Sequence, residues 1–513
     1  MAKSDRGTGA VCGFLYPSEV VMTNNNAQQA GGITILGLGP GDAAHLTRQA
    51  WDWLQGCKEL YCRTRQHPVI AGLPKGIEIY SFDTLYDQGA SFEDVYARIV
   101  SQVLFLGQRP EGVTYAVPGH PYVAEATSPE IVRQAHALGL PVRVIEGLSF
   151  LEPTFSALQI DPYPTLALVD ALTLTNAHTP SFPPDSPTLI AQIYSAMVAA
   201  EVKLTLMAVY PDQHPVRLVH ADGTPEEMVE DLALYEIDRS PYLGLLSSLY
   251  LPPLGLNTSF EAFHEIIAQL RAPDGCPWDR EQTHLSLRKH LLEETYEALD
   301  ALDQEDMPGL AEELGDILLQ IGLHAQIAFE EGDFNLYDVV KGINAKLIRR
   351  HPHVFGDWKV DGVSKVLQNW EKLKEAERQA NGKPGVKGLL DGLPKALPAL
   401  AQAQEIQDRA ARVGFDWDSI EPVWGKLMEE LEEVRQAGTP ETRSAELGDL
   451  LFAMVNLVRW YKADAETLLR ATSQRFRTRF SYVEKRAREQ GGIPSEMSLA
   501  EMDSLWEEAK SVE

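Results

Sequence analysis

Two stretches decide how half of this chain folds: Leu292-Glu293-Glu294-Thr295-Tyr296-Glu297 and Met428-Glu429-Glu430-Leu431-Glu432-Glu433. Each is followed by a second matched stretch, Glu313-Leu314-Gly315-Asp316-Ile317-Leu318 in one case and Glu446-Leu447-Gly448-Asp449-Leu450-Leu451 in the other. Further on, Lys346 and Arg350 align with Arg475 and Arg479, and Trp370 with Lys374 aligns with Trp506 and Lys510. Matches that keep their order mark an internal repeat. Apolar residues recur at helical spacing from Ser259 to Glu513 while strand-like runs almost vanish. This half is therefore expected to be all-α, built as two versions of one helical domain.

Ahead of the repeat the texture is α/β. Ile33–Leu36, Val113–Val117, Val142–Ile145, Thr165–Leu168 and Leu204–Val209 read as short buried strands, with helices over Ser128–Leu138 and Pro187–Ala200. Residues 1–30 carry no periodicity and read as a mobile tail. The turn-rich Leu251-Pro252-Pro253-Leu254-Gly255 and Asn381-Gly382-Lys383-Pro384-Gly385 are the candidate boundaries. The expected organisation is an α/β domain over 31–253, a first helical domain over 259–378, a linker over 379–395 and a second helical domain over 396–513.

The chain is strongly acidic, with 45 Lys+Arg against 74 Asp+Glu and a formal charge of −29. That argues against duplex nucleic acid or an anionic membrane as the main partner, since both attract basic surface. Phosphorylated small molecules stay open, because divalent ions bridge carboxylates to phosphates. Cys12, Cys57, Cys62 and Cys276 are too scattered for a disulfide framework or a zinc site. No run of about 18 apolar residues and no signal-type N-terminus is found. A cytoplasmic, multidomain protein is expected.

The acidic stretches carry the chemistry. Glu294 and Glu297, three apart, project from one side of a helix, and Glu313 and Asp316 repeat the spacing on the next. Antiparallel packing through Leu291, Leu292, Leu314, Ile317 and Leu318 would bring both pairs together, with Gly315 and Gly448 allowing close helix approach. Converging carboxylates repel one another unless a cation neutralises them, and oxygen-only donors select a hard ion such as Mg²⁺. Glu430, Glu433, Glu446 and Asp449 offer the same four groups in the second copy. The plainer reading is a pair of solvated helix faces; the repetition of downstream cations weighs against it. Lys346, Arg349 and Arg350 suit phosphate oxygens, and Trp370 and Trp506 suit a base or a core. His351 and His353, in His-Pro-His-Val-Phe, read as a structural loop.

With these motifs in hand, residues 259–513 resemble the MazG family of nucleoside triphosphate pyrophosphohydrolases, as two MazG-type domains in tandem. The markers are Cys-Pro-Trp-Asp (276–279), Gln282-Thr283-His284, the paired acidic motifs, His-Pro-His-Val-Phe (351–355) and Gly414-Phe415-Asp416-Trp417. The resemblance implies Mg²⁺-dependent cleavage of an NTP or dNTP to NMP and pyrophosphate. It implies metal ligation by Glu294, Glu297, Glu313 and Asp316, and by Glu430, Glu433, Glu446 and Asp449. Glu293 and Glu429 would orient water. Lys346, Arg350, Trp370 and Lys374 in copy one, and Arg475, Arg479, Trp506 and Lys510 in copy two, would hold the nucleotide. A homodimer is expected, since such bundles complete their cores by association.

The α/β half opens with Ile33-Thr34-Ile35-Leu36-Gly37-Leu38-Gly39-Pro40-Gly41-Asp42, a buried strand running into a glycine-rich turn. Pro40 and Asp42 interrupt a phosphate-cradling arrangement, so a neutral or cationic ligand fits better. Residues 37–47, with Val117-Pro118-Gly119-His120-Pro121 and Gly147-Leu148-Ser149-Phe150, resemble the tetrapyrrole (corrin/porphyrin) methylases, which bind S-adenosylmethionine between two α/β lobes. The implied cofactor contacts are Gly37, Gly39, Gly41, Asp42, Pro118, Gly119 and His120. The likeness departs at His120, where those methylases usually carry Asp. A cofactor-binding regulator, an active methyltransferase and a structural partner remain open for this domain, as does a nucleotide-sensing role for the helical half.

Overall fold

The computed structural model describes residues 31–89, 91–221, 223–360 and 388–512, with single positions between 361 and 387 (362, 365–366, 369–370 and 373). The expected tail over 1–30, Lys374 and the linker segment 379–387 lie outside the described residues. The chain divides into two compact units, Met1–Gln269 and Leu270–Glu513. No described helix is long and apolar enough to cross a membrane.

The described residues of the first unit form ten strands in two sheets. β1 (Ile33–Gly37), β2 (Glu59–Cys62), β3 (Glu78–Ser81), β4 (Val113–Val117) and β5 (Val142–Ile145) form an all-parallel sheet in the order β3-β2-β4-β1-β5. β1 is buried along its whole length at the sheet interior, which explains its unbroken apolar run. Ile33 faces Val113 and Val142 in register, and Leu36 faces Ala116 and Ile145. β6 (Ala167–Asp170), β7 (Thr188–Ala191), β8 (Pro215–His220), β9 (Met228–Ala233) and β10 (Ser247–Leu251) form a second, mixed sheet in the order β6-β7-β10-β8-β9.

Three readings of this half are corrected. The stretch Pro187–Ala200 is not one helix: Thr188–Ala191 is the strand β7, and the helix begins only at Ala196. Leu204–Val209 is not a strand but the end of that helix, Ala196–Leu206, and the turn after it. The helix is apolar on nearly every side and carries no amphipathic period, so its sequence looked like a strand. Its true start is marked by Ser195, whose Oγ accepts the Val198 amide at 3.3 Å. Finally, β6 runs over Ala167–Asp170, two residues beyond the expected Thr165–Leu168.

The second unit is helical throughout the described residues. The first acidic stretch lies on the helix His284–Asp303, which turns at Gln304–Asp306 into Met307–Glu331, bearing Glu313 and Asp316. The second copy repeats this with Ile420–Gln436 and Pro440–Trp460, joined by a turn that Thr439 caps. The seam expected between the first two helices is corrected. Leu291, Leu292, Leu314 and Leu318 are 36%, 55%, 53% and 37% exposed, and the buried residues are instead Leu287, Ala298 and Ala301 on one helix and Leu323, Ala325, Ile327 and Ala328 on the other. Leu292 and Glu294, two apart, point to opposite sides of a helix, so the face that gathers the acids cannot also bury that leucine. Nor do the glycines mark close approach within the chain: a Cβ at Gly315 or Gly448 would meet nothing within 4 Å.

Candidate functional site

In the first copy, one carboxylate oxygen each from Glu294, Glu313 and Asp316 lies within 4.8 Å of the others. Glu297, on the same turn as Glu294, adds a hydrogen bond and a repulsive field to it. Partial burial first, then Asp316, Glu297 and Glu313, push the Glu294 carboxyl above its ordinary range. Glu313 is pushed up in the same way, by desolvation and then by Glu297, Asp316 and Glu312. Acids that destabilise one another's charge while converging on one point suit a divalent cation. All donors are oxygens, which suits a hard ion and excludes a thiolate-type zinc site.

The second copy brings Glu430, Glu433 and Glu446 within 4.8 Å of one another, two acids from its first helix and one from its second. Asp449 is exposed and stands outside this closest trio. The Glu433 carboxyl is raised by desolvation and by Glu430 and Glu446, with Lys426 opposing. Lys426 is the residue that sequence reasoning missed. Its Nζ lies 2.7 Å from Glu430 Oε1 and 3.0 Å from Glu429 Oε1. The signal was available: Lys426 precedes Glu430 by four positions, the spacing of a helical ion pair. In the first copy that position is His290, whose Nδ1 reaches Glu293 at 3.1 Å.

The candidate nucleotide-holding residues make local contacts. Arg475 donates to Thr472 Oγ1 at 2.9 Å, and Lys510 pairs with Glu507 at 2.6 Å. Trp506 lies tilted against Phe476 with centroids 4.9 Å apart and under the Arg479 guanidinium, 5.8 Å from the ring centre. Lys346 is exposed and Arg350 half-buried on the helix Leu336–Arg350, and Trp370 stands 6.0 Å from the His351 ring. His351 Nδ1 meets the Leu347 carbonyl at 2.7 Å, so it closes a helix end as expected of a structural loop. The remaining motifs are also tied down. Asp416 accepts from Arg459 at 2.7 Å and from Trp460 at 3.2 Å, and Arg271 holds the 276–282 turn by its carbonyls while pairing with Glu330.

In the α/β unit three glycine motifs meet. A Cβ on Gly37 would stand 2.5 Å from Gly147 N and 2.7 Å from Gly119 O, so three backbones touch where β1 and β4 end. Gly39 and Gly119 exchange backbone hydrogen bonds of 3.3 and 2.8 Å, both at positive φ. Beside them opens a cavity of about 830 Å³ whose wall includes Pro40, Pro118, Gly119 and His120. Gly37, Gly39, Gly41 and Asp42 shape the loop behind it, and the Asp42 carboxylate is used on the Ala44 amide at 2.8 Å. His120 Nδ1 accepts the Tyr122 amide at 3.1 Å, the bond an aspartate would make in an Asx turn. The loop thus keeps its turn without the negative charge.

The cavity also brings together residues that no motif flagged. Arg63, at the end of β2, pairs with the buried Glu125 and donates to Tyr86 Oη at 3.0 Å. His67 is only 6% exposed, and burial lowers its pKa to about 4; the nearby Pro40 carbonyl makes no bond of normal geometry with it. His220 is held between Glu230 at 2.8 Å and Ser247 at 3.0 Å.

Comparison with known proteins places this architecture. The family described as the MazG nucleotide pyrophosphohydrolase domain matches residues 282–355, and the tetrapyrrole (corrin/porphyrin) methylases match residues 32–238. The nucleoside triphosphate pyrophosphohydrolase/pyrophosphatase MazG of Thermotoga maritima is 43% identical over 251 residues, 49% of this chain and 95% of that protein. The chain belongs to the MazG family. Its MazG portion is joined to a tetrapyrrole methylase domain, and the whole arrangement recurs in the uncharacterized protein YabN of Bacillus subtilis, 45% identical over 94% of this chain and 99% of YabN. The uroporphyrin-III-C-methyltransferase of Thermus thermophilus resembles 44% of this chain over 93% of its own, at 20% identity and a TM-score of 0.34.

Proposed function

We propose that the chain is a Mg²⁺-dependent nucleoside triphosphate pyrophosphohydrolase that cleaves NTP or dNTP to NMP and pyrophosphate. The observation that carries this reading is the twofold convergence of carboxylate oxygens within 4.8 Å on paired helices. The name of the Thermotoga relative supports the substrate class. Glu294, Glu297, Glu313 and Asp316 would hold the ion in one copy, and Glu430, Glu433, Glu446 and Asp449 in the other. When bound, Mg²⁺ supplies charge neutralisation for the triphosphate and a bound water of lowered pKa. Glu293 and Glu429 flank these groups and would accept a proton from the attacking water. Lys346, Arg350, Trp370 and Lys374, and Arg475, Arg479, Trp506 and Lys510, would hold phosphates and base.

The division into 31–253, 259–378, 379–395 and 396–513 is part of the same proposal, as are a cytoplasmic setting and a homodimer. The exposed Leu292, Leu314 and Leu318 support association, since they leave apolar helix surface uncovered in the single chain. For the α/β unit the cavity beside Pro40, Gly119 and His120 favours S-adenosylmethionine binding, with methyl transfer to a small molecule as the second reading. Labelled S-adenosylmethionine tests it, through retention on the protein and transfer to an acceptor.

The main test is chromatography of NTPs and dNTPs incubated with Mg²⁺ and either wild type, Glu297→Gln, Glu433→Gln or the double variant. NMP and pyrophosphate should form with wild type and disappear with whichever copy turns over. Release of NDP and phosphate, or no product from any nucleotide, overturns the proposal.

A further inference from the structure

Building on the metal-site reading above, we propose that the two acidic clusters are unequal divalent-cation sites, and that Lys426, a counter-ion built into the second, sets the difference. The repeat gives the comparison an internal control, because the two copies share the helix pairing and the four acidic positions, although the closest trio takes in Asp316 in copy one and Glu433 in copy two. Two of the matched positions that differ alter the charge beside the clusters. Where copy one has His290, copy two has Lys426; where copy one has Glu312, copy two has Ala445. Both changes make copy two less negative.

The geometry shows what the lysine does. Its ammonium lies 2.7 Å from Glu430 and 3.0 Å from Glu429, so one permanent charge touches a proposed metal ligand and its neighbour together. Glu430 is only 5% exposed, and a carboxylate that buried needs a partner. Lys426 meets that need without a metal. In copy one the imidazole of His290 reaches only Glu293, at 3.1 Å. Among the described residues no cation pairs with Glu294; carboxylate oxygens of Glu313 and Asp316 lie within 4.8 Å of its own instead. Glu312 adds a further repulsion on Glu313. The remaining acid of the second motif, Glu432, is turned to Arg435 and Gln436 and does not restore the balance.

A dication entering copy two therefore meets an ammonium already in hydrogen-bond contact with one of its ligands, while in copy one it relieves a repulsion. The Lys426–Glu430 pair is partly exposed, so its charge effect is modest, and a dication roughly doubles it; copy two should bind about two- to thirty-fold more weakly in the absence of nucleotide.

The test is equilibrium Mn²⁺ binding to the full chain without nucleotide, followed by electron paramagnetic resonance of the free ion. Wild type should show two classes of site. Glu294→Gln should remove the tighter class and Glu430→Gln the weaker. Lys426→Met should tighten the weaker class toward the other, and His290→Lys should loosen the tighter one. A gain of affinity in Lys426→Met cannot come from misfolding. Two equal classes, an inverted assignment, or constants that Lys426→Met leaves unmoved overturn the inference while leaving the metal-site reading intact. Absence of Mn²⁺ binding at either cluster overturns both.

Discussion

Replacing Gly37 with alanine should strongly destabilise the α/β unit. The added Cβ would meet Gly147 N at 2.5 Å, Gly119 O at 2.7 Å and Gly147 Cα at 2.8 Å. Each obstacle is backbone, from the two segments around Gly119 and Gly147, so no side-chain rotation relieves the contact. Overpacking of this kind costs about 1–3 kcal/mol, and an obstruction made entirely of backbone belongs at the upper end. For a unit of this size about 3 kcal/mol corresponds to a fall in melting temperature of roughly 6–12 °C. Scanning calorimetry of the full chain measures the fall, and hydrogen exchange by mass spectrometry locates it. Faster exchange should be confined to peptides around 33–42, 113–123 and 142–150, with the helical repeat unaffected. Gly147→Ala should behave alike, since its Cβ would meet Gly119 O at 2.5 Å. A Gly37→Ala protein that melts as wild type does would refute the convergence of the three motifs.

Gly315→Ala and Gly448→Ala should behave oppositely: nothing obstructs a Cβ at either, so the helices should gain about 0.5–1 kcal/mol in urea unfolding. A loss instead would show that a second molecule occupies that space. His67 gives an acid limit to the α/β unit. Its folded pKa of about 4 lies below the ordinary 6.5, so the unfolded chain takes up the proton first. Stability should be complete above pH 6.5 and fall by about 2–3 kcal/mol by pH 4.5, and His67→Leu should abolish that difference between urea midpoints at pH 7.5 and 4.5. Glu125→Ala strands the Arg63 guanidinium in a site where Glu125 is 7% exposed, at an expected cost of about 3–5 kcal/mol read by calorimetry. Arg470→Ala breaks a partly exposed pair with Asp303 at 2.8 Å and should shift stability by less than about 1 kcal/mol.

The sequence alone determined the features that are periodic or local. The acidic stretches and their repeat are visible because helices present residues three and four apart on one side, and a duplicated domain preserves that spacing. The strands β1 and β4 were legible because a buried parallel strand is a short apolar run bounded by turn residues, and β5 because its β-branched residues alternate with Arg143. The helix Ala196–Leu206 was not, because a helix apolar on nearly every side has no period to read. Tertiary structure decided which faces are buried. Leu291, Leu292, Leu314 and Leu318 carry the right chemistry for a seam, but the geometry that gathers Glu294, Glu313 and Asp316 leaves them outside. It also decided partners that no spacing announces: Arg63 with Glu125, sixty-two positions apart, and Gly37 against Gly119 and Gly147. Lys426 stands between the two cases. Its spacing to Glu430 was in the sequence, but only the fold, by burying Glu430, made that lysine a resident counter-ion rather than one more charge on a solvated helix.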